Sequence, residues 1–180
     1  MKRMNEQNTA VIIVDIQERL APAIHKSGQL TDACVTLLNG ARLLELPIIT
    51  TEQYPRGLGP TIEPLREFLS DVATFEKKEF TYAIEPVLEA LSANQVEHVI
   101  VLGMETHICV YQGTRALLDA GYQVYLPQEC VGSRTNANKE NGLYQLGKMG
   151  AHITNVETVL YDLIQTSEHP AFREISALIK

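Results

Sequence analysis

The chain has 180 residues, of which 45% are hydrophobic and 21% charged. This length usually makes one domain, and the composition is that of a globular protein rather than a disordered one. The formal net charge of −7 disfavours nucleic acid and anionic membrane surfaces as partners, which leaves a small molecule as the expected one. We therefore predict one domain over residues 1–180.

Short β-branched apolar segments alternate with longer segments of helical period. The predicted strands, in chain order, lie in TAVIIVD, PIITTE, VATFEK, VEHVIVLG, YQVYLP and AHITN. The predicted helices cover residues 30–46, 62–69, 84–93, 108–120 and 140–149, and a short amphipathic helix follows Pro170. Strands that are nearly unbroken hydrophobic runs, separated by helices, indicate a parallel sheet covered on both faces. The predicted fold class is therefore three-layer α/β.

The cysteines and histidines give no sign of a disulfide or a metal site. Cys34, Cys109 and Cys130 are widely spaced and form no CxxC pair, and the five histidines show no HxxxH or HExxH spacing. The apolar run VIIV before Asp15 is too short for a signal-peptide core or a membrane span. We expect a cytoplasmic protein without a metal or another cofactor.

Three polar residues stand at the ends of predicted strands. Asp15 follows AVIIV, Lys77 follows ATFE, and Cys109 lies just beyond VIVLG. Ligands bind outside the carboxyl ends of the strands in such sheets, so the chemistry is expected there. A carboxylate next to an apolar strand is costly to bury without a partner. The pattern alone also fits a solvated strand-end acid at position 15 and a solvated lysine at position 77.

Cys109 is predicted in the first turn of a helix, where unpaired N–H groups and the helix dipole favour the thiolate. This placement is typical of a nucleophile, whereas Cys34 and Cys130 are expected to be small buried core residues. Thr106 is the candidate N-cap of that helix. The segment QYPRGLGP is expected to form a loop over the site, with Arg56 available to an anionic group.

The segments VIIVDIQ, FEKKEFTY and VLGMETHICV, in this order, resemble those of the isochorismatase-like cysteine hydrolases. The resemblance spans most of the chain and is greatest to the small isochorismatase domain-containing proteins. It implies a doubly wound, six-stranded parallel sheet in a three-layer α/β/α fold, and a homo-oligomer. It also implies a catalytic triad of Asp15, Lys77 and Cys109. Lys77 is chosen over Lys78 because the family lysine usually precedes an aromatic residue by three positions, here Phe80.

The same resemblance implies further site residues. It places a cis peptide bond between Met104 and Glu105, and an oxyanion site at the backbone N–H groups around Glu105 and Cys109. Gln17, Gln53, Met104 and Glu105 are the residues expected to contact substrate or the oxyanion. Metal-containing nicotinamidases of the family carry an Asp-x-His motif after the second strand. Because TTEQYPRG has no histidine, no metal is expected here.

The retained cysteine favours one reaction within the family. Isochorismatases cleave a vinyl ether and often lack the cysteine, whereas this chain keeps Cys109. The resemblance therefore favours hydrolysis of a C–N bond in a small amide or carbamoyl compound, through a thioester on Cys109. Two alternatives stay open: a vinyl ether hydrolase in which Asp15 is the acid, and a non-catalytic redox sensor or oligomeric interaction protein.

Overall fold

The structure of the protein, a computed structural model, describes residues 3–180. Its strands are β1 Thr9–Val14, β2 Ile48–Gln53, β3 Thr74–Lys77, β4 His98–Met104, β5 Gln123–Pro127, β6 Val131–Gly132 and β7 His152–Thr154. They form one parallel sheet in the order β3-β2-β1-β4-β5-β7, with β6 paired to the end of β4. The predicted parallel sheet is confirmed. Within residues 3–180 it has seven strands rather than six, because the two-residue strand β6 adds to β4 beyond the end of β5.

Helices cover both faces of the sheet. The helices are α1 Ser27–Leu43, α2 Pro55–Leu58, α3 Glu63–Arg66, α4 Glu85–Ala93, α5 Tyr111–Asp119, α6 Asn136–Met149, α7 Val156–Ile164 and α8 Phe172–Leu178. Short 3-10 turns cover Ala21–Ala23, Glu67–Leu69 and Gln128–Cys130, and a π-helical turn covers Thr106–Val110. Side chains of α1, α7 and α8 pack on one face, and those of α4, α5 and α6 on the other. The predicted three-layer α/β fold is confirmed.

The helix α7 was not among the predicted helices, although its sequence contains an N-cap residue and apolar residues at helical spacing. The Asn155 side chain accepts a hydrogen bond from the Thr158 backbone N–H at 2.8 Å, which caps the helix. Val156, Val159 and Leu160 are buried against the α1 face of the sheet. The helix predicted over residues 62–69 is instead divided into α3 and the 3-10 turn that follows it. None of the helices in the described part of the chain is long and apolar enough to cross a membrane.

The strands β1 and β4 form the buried centre of the sheet, and every residue in both is buried. Val11 and Ile13 contact the core on one face, while Ile12 and Val14 contact the core on the other. This burial on both faces explains why the strands are hydrophobic throughout rather than alternating. The chain proceeds from β1 to β2 and β3 in one direction and from β4 to β5 and β7 in the other. The topological switch point therefore lies between β1 and β4, where a ligand crevice is expected.

Gly103 allows β1 and β4 to approach closely at this switch point. Val14 of β1 is the register partner of Gly103 in β4. A Cβ atom on Gly103 would lie 2.5 Å from the Val14 carbonyl oxygen and 2.6 Å from the Val14 Cβ, which are distances that packed atoms do not tolerate. The glycine thus brings the segments after β1 and β4, which carry Asp15 and Cys109, side by side.

Candidate active site

Asp15 follows the last residue of β1 and is completely buried. Its φ of 54° is in the left-handed region, which is uncommon for a residue other than glycine. One carboxylate oxygen accepts a hydrogen bond from Thr51 Oγ at 3.0 Å, and the other accepts one from Lys77 Nζ at 2.6 Å. Burial raises the pKa of Asp15, while the charge and hydrogen bond of Lys77 oppose that rise.

Lys77 ends β3 and reaches over β2 to the acid. Its ammonium donates to Asp15 Oδ2 at 2.6 Å, to Gln53 Oε1 at 2.7 Å and to the Glu79 carbonyl at 3.2 Å. An ammonium has three protons, so these contacts use all of them. Lys77 is buried whereas Lys78 is exposed, which agrees with the choice of Lys77 as the lysine that partners the acid.

Cys109 lies in the π-helical turn that follows β4, and its residue is 7% exposed. Its thiol lies beside the Asp15 carboxylate, and the two groups line the same cavity and influence each other's pKa. Burial and the negative charge of Asp15 raise the pKa of Cys109 to about 12, against the lowering by Lys77 and by a hydrogen bond with the Glu105 backbone. The resting thiol is therefore protonated. The placement at a helix start does not by itself favour the thiolate here, because a dipole contribution of about 0.3–2 kcal/mol is smaller than the cost of burial beside an acid.

The other two cysteines belong to the core, as predicted. Cys34 and Cys130 are completely buried on the α1 face, and the Cys34 thiol donates to the Cys130 carbonyl at 3.6 Å. Thr106 is also buried, but its side chain makes no capping hydrogen bond. Glu105 occupies the N-cap position of the π-helical turn instead, so the proposed Thr106 cap is wrong by one residue.

Met104 and Glu105 contribute their backbone to the site. The peptide bond between them is cis. The Met104 side chain packs in the core on the α1 face. The Glu105 carboxylate accepts hydrogen bonds from the Arg134 backbone N–H at 3.1 Å and from Arg134 Nε at 3.0 Å. The carboxylate of Glu105 is thus held by Arg134 rather than left free to act as a second acid.

Gln17 and Gln53 hold the loop around the site. Gln17 Nε2 donates to the carbonyls of Gln53 at 3.1 Å and Gly59 at 2.6 Å, and its Oε1 accepts from the Gln53 N–H at 2.8 Å. The buried Gln17 is therefore placed to position the loop rather than to contact substrate as expected. The Gln53 side chain accepts from Lys77 and donates to the Lys78 carbonyl at 2.9 Å, so it orients the lysine.

A cavity of about 130 Å³ opens beside the thiol. It is lined by Asp15, Leu20, Gln53, Leu58, Phe80, Glu105, Ile108 and Cys109. Four predicted site residues thus meet in one cavity, while Lys77 lies beneath Asp15, and Gln17 and Met104 do not line it. The apolar wall of Leu20, Leu58, Phe80 and Ile108 was not predicted. Phe80 and Ile108 lie in the segments that carry the resemblance and Leu58 lies in the QYPRGLGP segment, so the sequence placed them near the site without indicating that they form a wall.

Metal-ligand groups do not cluster in the described part of the chain. No three His, Cys, Asp or Glu residues among positions 3–180 are placed to hold a metal ion together. Glu52, in the segment TTEQYPRG, accepts hydrogen bonds from Thr61 N–H at 2.6 Å and Thr61 Oγ at 2.8 Å. Its carboxylate therefore fastens the loop.

The fold and the site together define an α/β protein with an Asp–Lys pair and a thiol at the switch point of a doubly wound sheet. The model of the isochorismatase domain family matches residues 9–158. The chain therefore belongs to this family of isochorismatase-like hydrolases.

Relatives from distant eukaryotes share most of the chain. Isochorismatase domain-containing protein 1 of Danio rerio is 37% identical over 92% of this chain, and the chain spans only 59% of that protein. The secreted isochorismatase effector Isc1 of Phytophthora sojae is 32% identical, with 99% of this chain and 87% of that protein covered. A solved structure named MAR1 ribonuclease from Caenorhabditis elegans is 35% identical with a TM-score of 0.95, and covers 99% of this chain and 92% of its own.

Proposed function

We propose that the protein is a cysteine hydrolase that cleaves the C–N bond of a small amide or carbamoyl compound through a thioester on Cys109. The observation that carries this proposal is the Lys77–Asp15 ion pair, with Asp15 and the Cys109 thiol side by side in the wall of the 130 Å³ cavity. A nucleophile within hydrogen-bond reach of a base, with the base oriented by a third group, is the general signature of covalent catalysis.

Asp15 acts as the proton acceptor when the thiol attacks. The sulfur forms a bond to the carbonyl carbon as the thiol proton passes to the Asp15 carboxylate. The carbonyl oxygen becomes an oxyanion, for which backbone N–H groups at Glu105 and Cys109 are the proposed donors. Asp15 then returns the proton to the nitrogen as the C–N bond breaks, and the amine leaves.

Water completes the cycle in a second step. Asp15 accepts a proton from a water molecule, whose oxygen attacks the thioester carbon. The C–S bond breaks, the acid product leaves, and Cys109 regains its proton. Lys77 favours the ionised form of Asp15 throughout. The raised pKa of Cys109 supports this order, because proton transfer during the attack does not need a preformed thiolate.

The Cys109→Ala variant tests the proposal against the vinyl ether alternative. We expect it to lose all hydrolysis of a panel of primary amides and carbamoyl compounds, whereas Cys34→Ala, at a buried core position, keeps it. Intact-protein mass spectrometry should show an acyl adduct on Cys109 during turnover. Turnover of a vinyl ether that persists in Cys109→Ala would favour the ether hydrolase with Asp15 as acid.

The geometry also bears on the redox-sensor alternative. Sensor cysteines are typically accessible and have a low pKa, whereas Cys109 is 7% exposed and its pKa is raised. We therefore favour hydrolysis. Failure to hydrolyse any amide of the panel, together with reversible oxidation of Cys109 by micromolar peroxide, would reverse this choice.

The ribonuclease name of the Caenorhabditis elegans neighbour is not extended to this chain. The net charge of −7 opposes binding to a polyanion, and a cavity of 130 Å³ is smaller than the roughly 300–1,000 Å³ of ordinary ligand pockets. We expect no cleavage of labelled RNA above that of a Cys109→Ala sample purified in parallel.

Homo-oligomerisation and a cytoplasmic location remain predictions. Tyr144, Met149 and Ile153 are large apolar residues exposed on α6 and on the edge strand β7, and their exposure supports burial against a second copy. Light scattering after size exclusion measures the oligomer. The location requires imaging of the protein in its own cell, since one relative is named as secreted.

A further inference from the structure

We propose that the substrate is a small uncharged amide with an apolar acyl group, and that the cavity rejects compounds with a carboxylate. This inference rests on the proposed function, because it names the substrate class of the same site. It follows from the charges and volume of the cavity.

Within residues 3–180, the cavity wall contains two carboxylates, those of Asp15 and Glu105, and no cation. Among the lining residues in the described part of the chain, none is Lys, Arg or His. Lys77 lies beneath the wall with a completely buried side chain, and its protons are taken by Asp15, Gln53 and a backbone carbonyl. The Asp15–Lys77 pair is neutral as a unit, so nothing in the wall compensates a substrate carboxylate.

Two arginines near the site already make hydrogen bonds, and neither lines the cavity. Arg134 pairs with the Glu105 carboxylate at 3.0 Å, and Arg19 Nη1 donates to the Gly57 carbonyl at 2.8 Å. Arg56 does not line the Cys109 cavity but lines a neighbouring groove, which Tyr54, Lys77 and Lys78 also line. Arg56 is therefore outside the wall of the Cys109 cavity, and the sequence-based expectation that it serves an anionic group does not extend to this cavity.

An anion in this cavity loses its hydration without gaining a partner. Taking a carboxylate out of water costs several kcal/mol unless a cation or several hydrogen bonds replace the water. The neutral Asp15–Lys77 pair does not replace the lost hydration of such an anion. A primary amide has no net charge, and its carbonyl and NH₂ groups match the backbone donors and the carboxylate acceptor beside Cys109.

The apolar wall limits the size of the acyl group. Leu20, Leu58, Phe80 and Ile108 face the thiol across the cavity of about 130 Å³. An apolar cavity of about 150 Å³ holds benzene, so this slightly smaller one suits a whole amide of up to about six non-hydrogen atoms. Short unbranched or branched aliphatic amides therefore fit the site.

Iodoacetamide and iodoacetate test the charge preference without any hydrolysis. The two reagents carry the same leaving group and differ in one carboxylate. The alkylation rate of each reagent at Cys109 is measured by mass spectrometry of the modified peptide. It is then divided by the rate of the same reagent with 2-mercaptoethanol, which corrects for intrinsic reactivity. We expect the normalised ratio to favour iodoacetamide by at least about tenfold, equivalent to about 1.4 kcal/mol. A ratio near one would overturn the inference.

A lysine in the wall should reverse this preference. Leu58 is the last residue of α2 and is partly exposed, so Leu58→Lys is expected to fold, and Leu58→Met is the neutral control. Iodoacetate should gain at least about fivefold over iodoacetamide in Leu58→Lys, and Leu58→Met should keep the wild-type ratio. Equal ratios in the two variants would show that wall charge does not govern entry.

Hydrolysis separates the two proposals. Butyramide and succinamate have chains of the same length and differ in the terminal carboxylate, and we expect turnover of butyramide alone. Turnover of succinamate at a similar kcat/KM would overturn the substrate class and leave the hydrolase proposal standing. Selective alkylation without turnover of any neutral amide would overturn the hydrolase proposal, and the substrate assignment with it.

Discussion

Lys77 Nζ donates to Asp15 Oδ2 across 2.6 Å, although the two residues are 62 positions apart in the chain. Neither side chain has any solvent exposure. A buried ion pair of this kind recovers at most the cost of desolvating both charges, so it is weak evidence for stability. Among residues 3–180, Cys109 is the only cysteine that lines the cavity, and the ion pair lies beside it. This position supports a catalytic role for the Asp15–Lys77 pair.

Removing the lysine alone should destabilise the protein strongly. Lys77→Met leaves the Asp15 carboxylate buried without a cation, and we expect a loss of about 3–5 kcal/mol in the free energy of unfolding. Lys78→Met changes the exposed neighbour and should change it by no more than about 0.5 kcal/mol. Urea denaturation at neutral pH measures both.

The double variant Asp15→Asn/Lys77→Met supplies the control for this prediction. It removes both charges, so it should recover part of the stability that Lys77→Met loses. Equal stability of Lys77→Met and Lys78→Met would contradict the buried ion pair.

Asp15→Asn should separate alkylation from hydrolysis. The negative charge of Asp15 contributes to the raised pKa of Cys109, so its removal favours the thiolate, and alkylation by iodoacetamide at pH 8 should be unchanged or faster. Hydrolysis loses its proton acceptor and should fall by about 10²–10⁴-fold. Stopped-flow alkylation and a coupled ammonia assay measure the two rates. A parallel loss of both would mean that the substitution distorts the site.

The adjacency of Asp15 and Cys109 could be predicted from the sequence, because both follow fully apolar strands of a parallel sheet. The choice of Lys77 came from the resemblance, and its reach over β2 depends on the strand order β3-β2-β1, which spacing does not reveal. The family motif also identified Gln53 near the site, but gave no indication that its amide would bind Lys77. Hydrogen-bond direction depends on rotamers that the sequence pattern does not specify.

The sign of the Cys109 pKa shift was not predictable from its place at a helix start. That shift depends on how deeply the thiol is buried and how close it lies to Asp15, and both are properties of packing. The apolar wall of the cavity also depends on packing rather than on a sequence motif. Leu58 and Phe80 come from separate loops, and only the closing of the loop by Gln17 and Gln53 brings them to the thiol.

Chelation should not affect the reaction. The Glu52 carboxylate is bonded to Thr61, and the proposed steps use only Asp15, Lys77, Cys109 and backbone groups. Dialysis against EDTA should leave the turnover of butyramide within experimental error. A loss of activity that stoichiometric zinc restores would contradict the prediction, whereas recovery only after thiol reduction would indicate oxidation of Cys109.

Gly103→Ala should disrupt the contact between β1 and β4. The added methyl group would lie 2.5 Å from the Val14 carbonyl oxygen, so the strands must separate at the switch point, and we expect a loss of about 1–3 kcal/mol in the free energy of unfolding. Gly28→Ala is the matched control, because a Cβ there meets no atom within 4 Å. Thermal unfolding compares the two. Equal melting temperatures would show that the sheet adjusts without cost.

The pH dependence of Cys109 should differ from that of an ordinary thiol. Burial and Asp15 raise its pKa to about 12, whereas a free cysteine has a pKa of about 8.5. The rate of alkylation by iodoacetamide should therefore rise about tenfold per pH unit from pH 7 to 10 without levelling off, while that of 2-mercaptoethanol levels off as its thiol ionises.

The free energy of unfolding should fall over the same pH range, because the folded protein holds the Cys109 proton more tightly than the unfolded chain does. The contribution is fully present below about pH 8.5 and is lost as the pH rises towards 12. The unfolding free energy of the wild type minus that of Cys109→Ala isolates it, and this difference should fall by about 1.4 kcal/mol per pH unit above pH 9. An alkylation profile that levels off near pH 7 would instead indicate a preformed thiolate, and Asp15 would then not be the acceptor of the thiol proton.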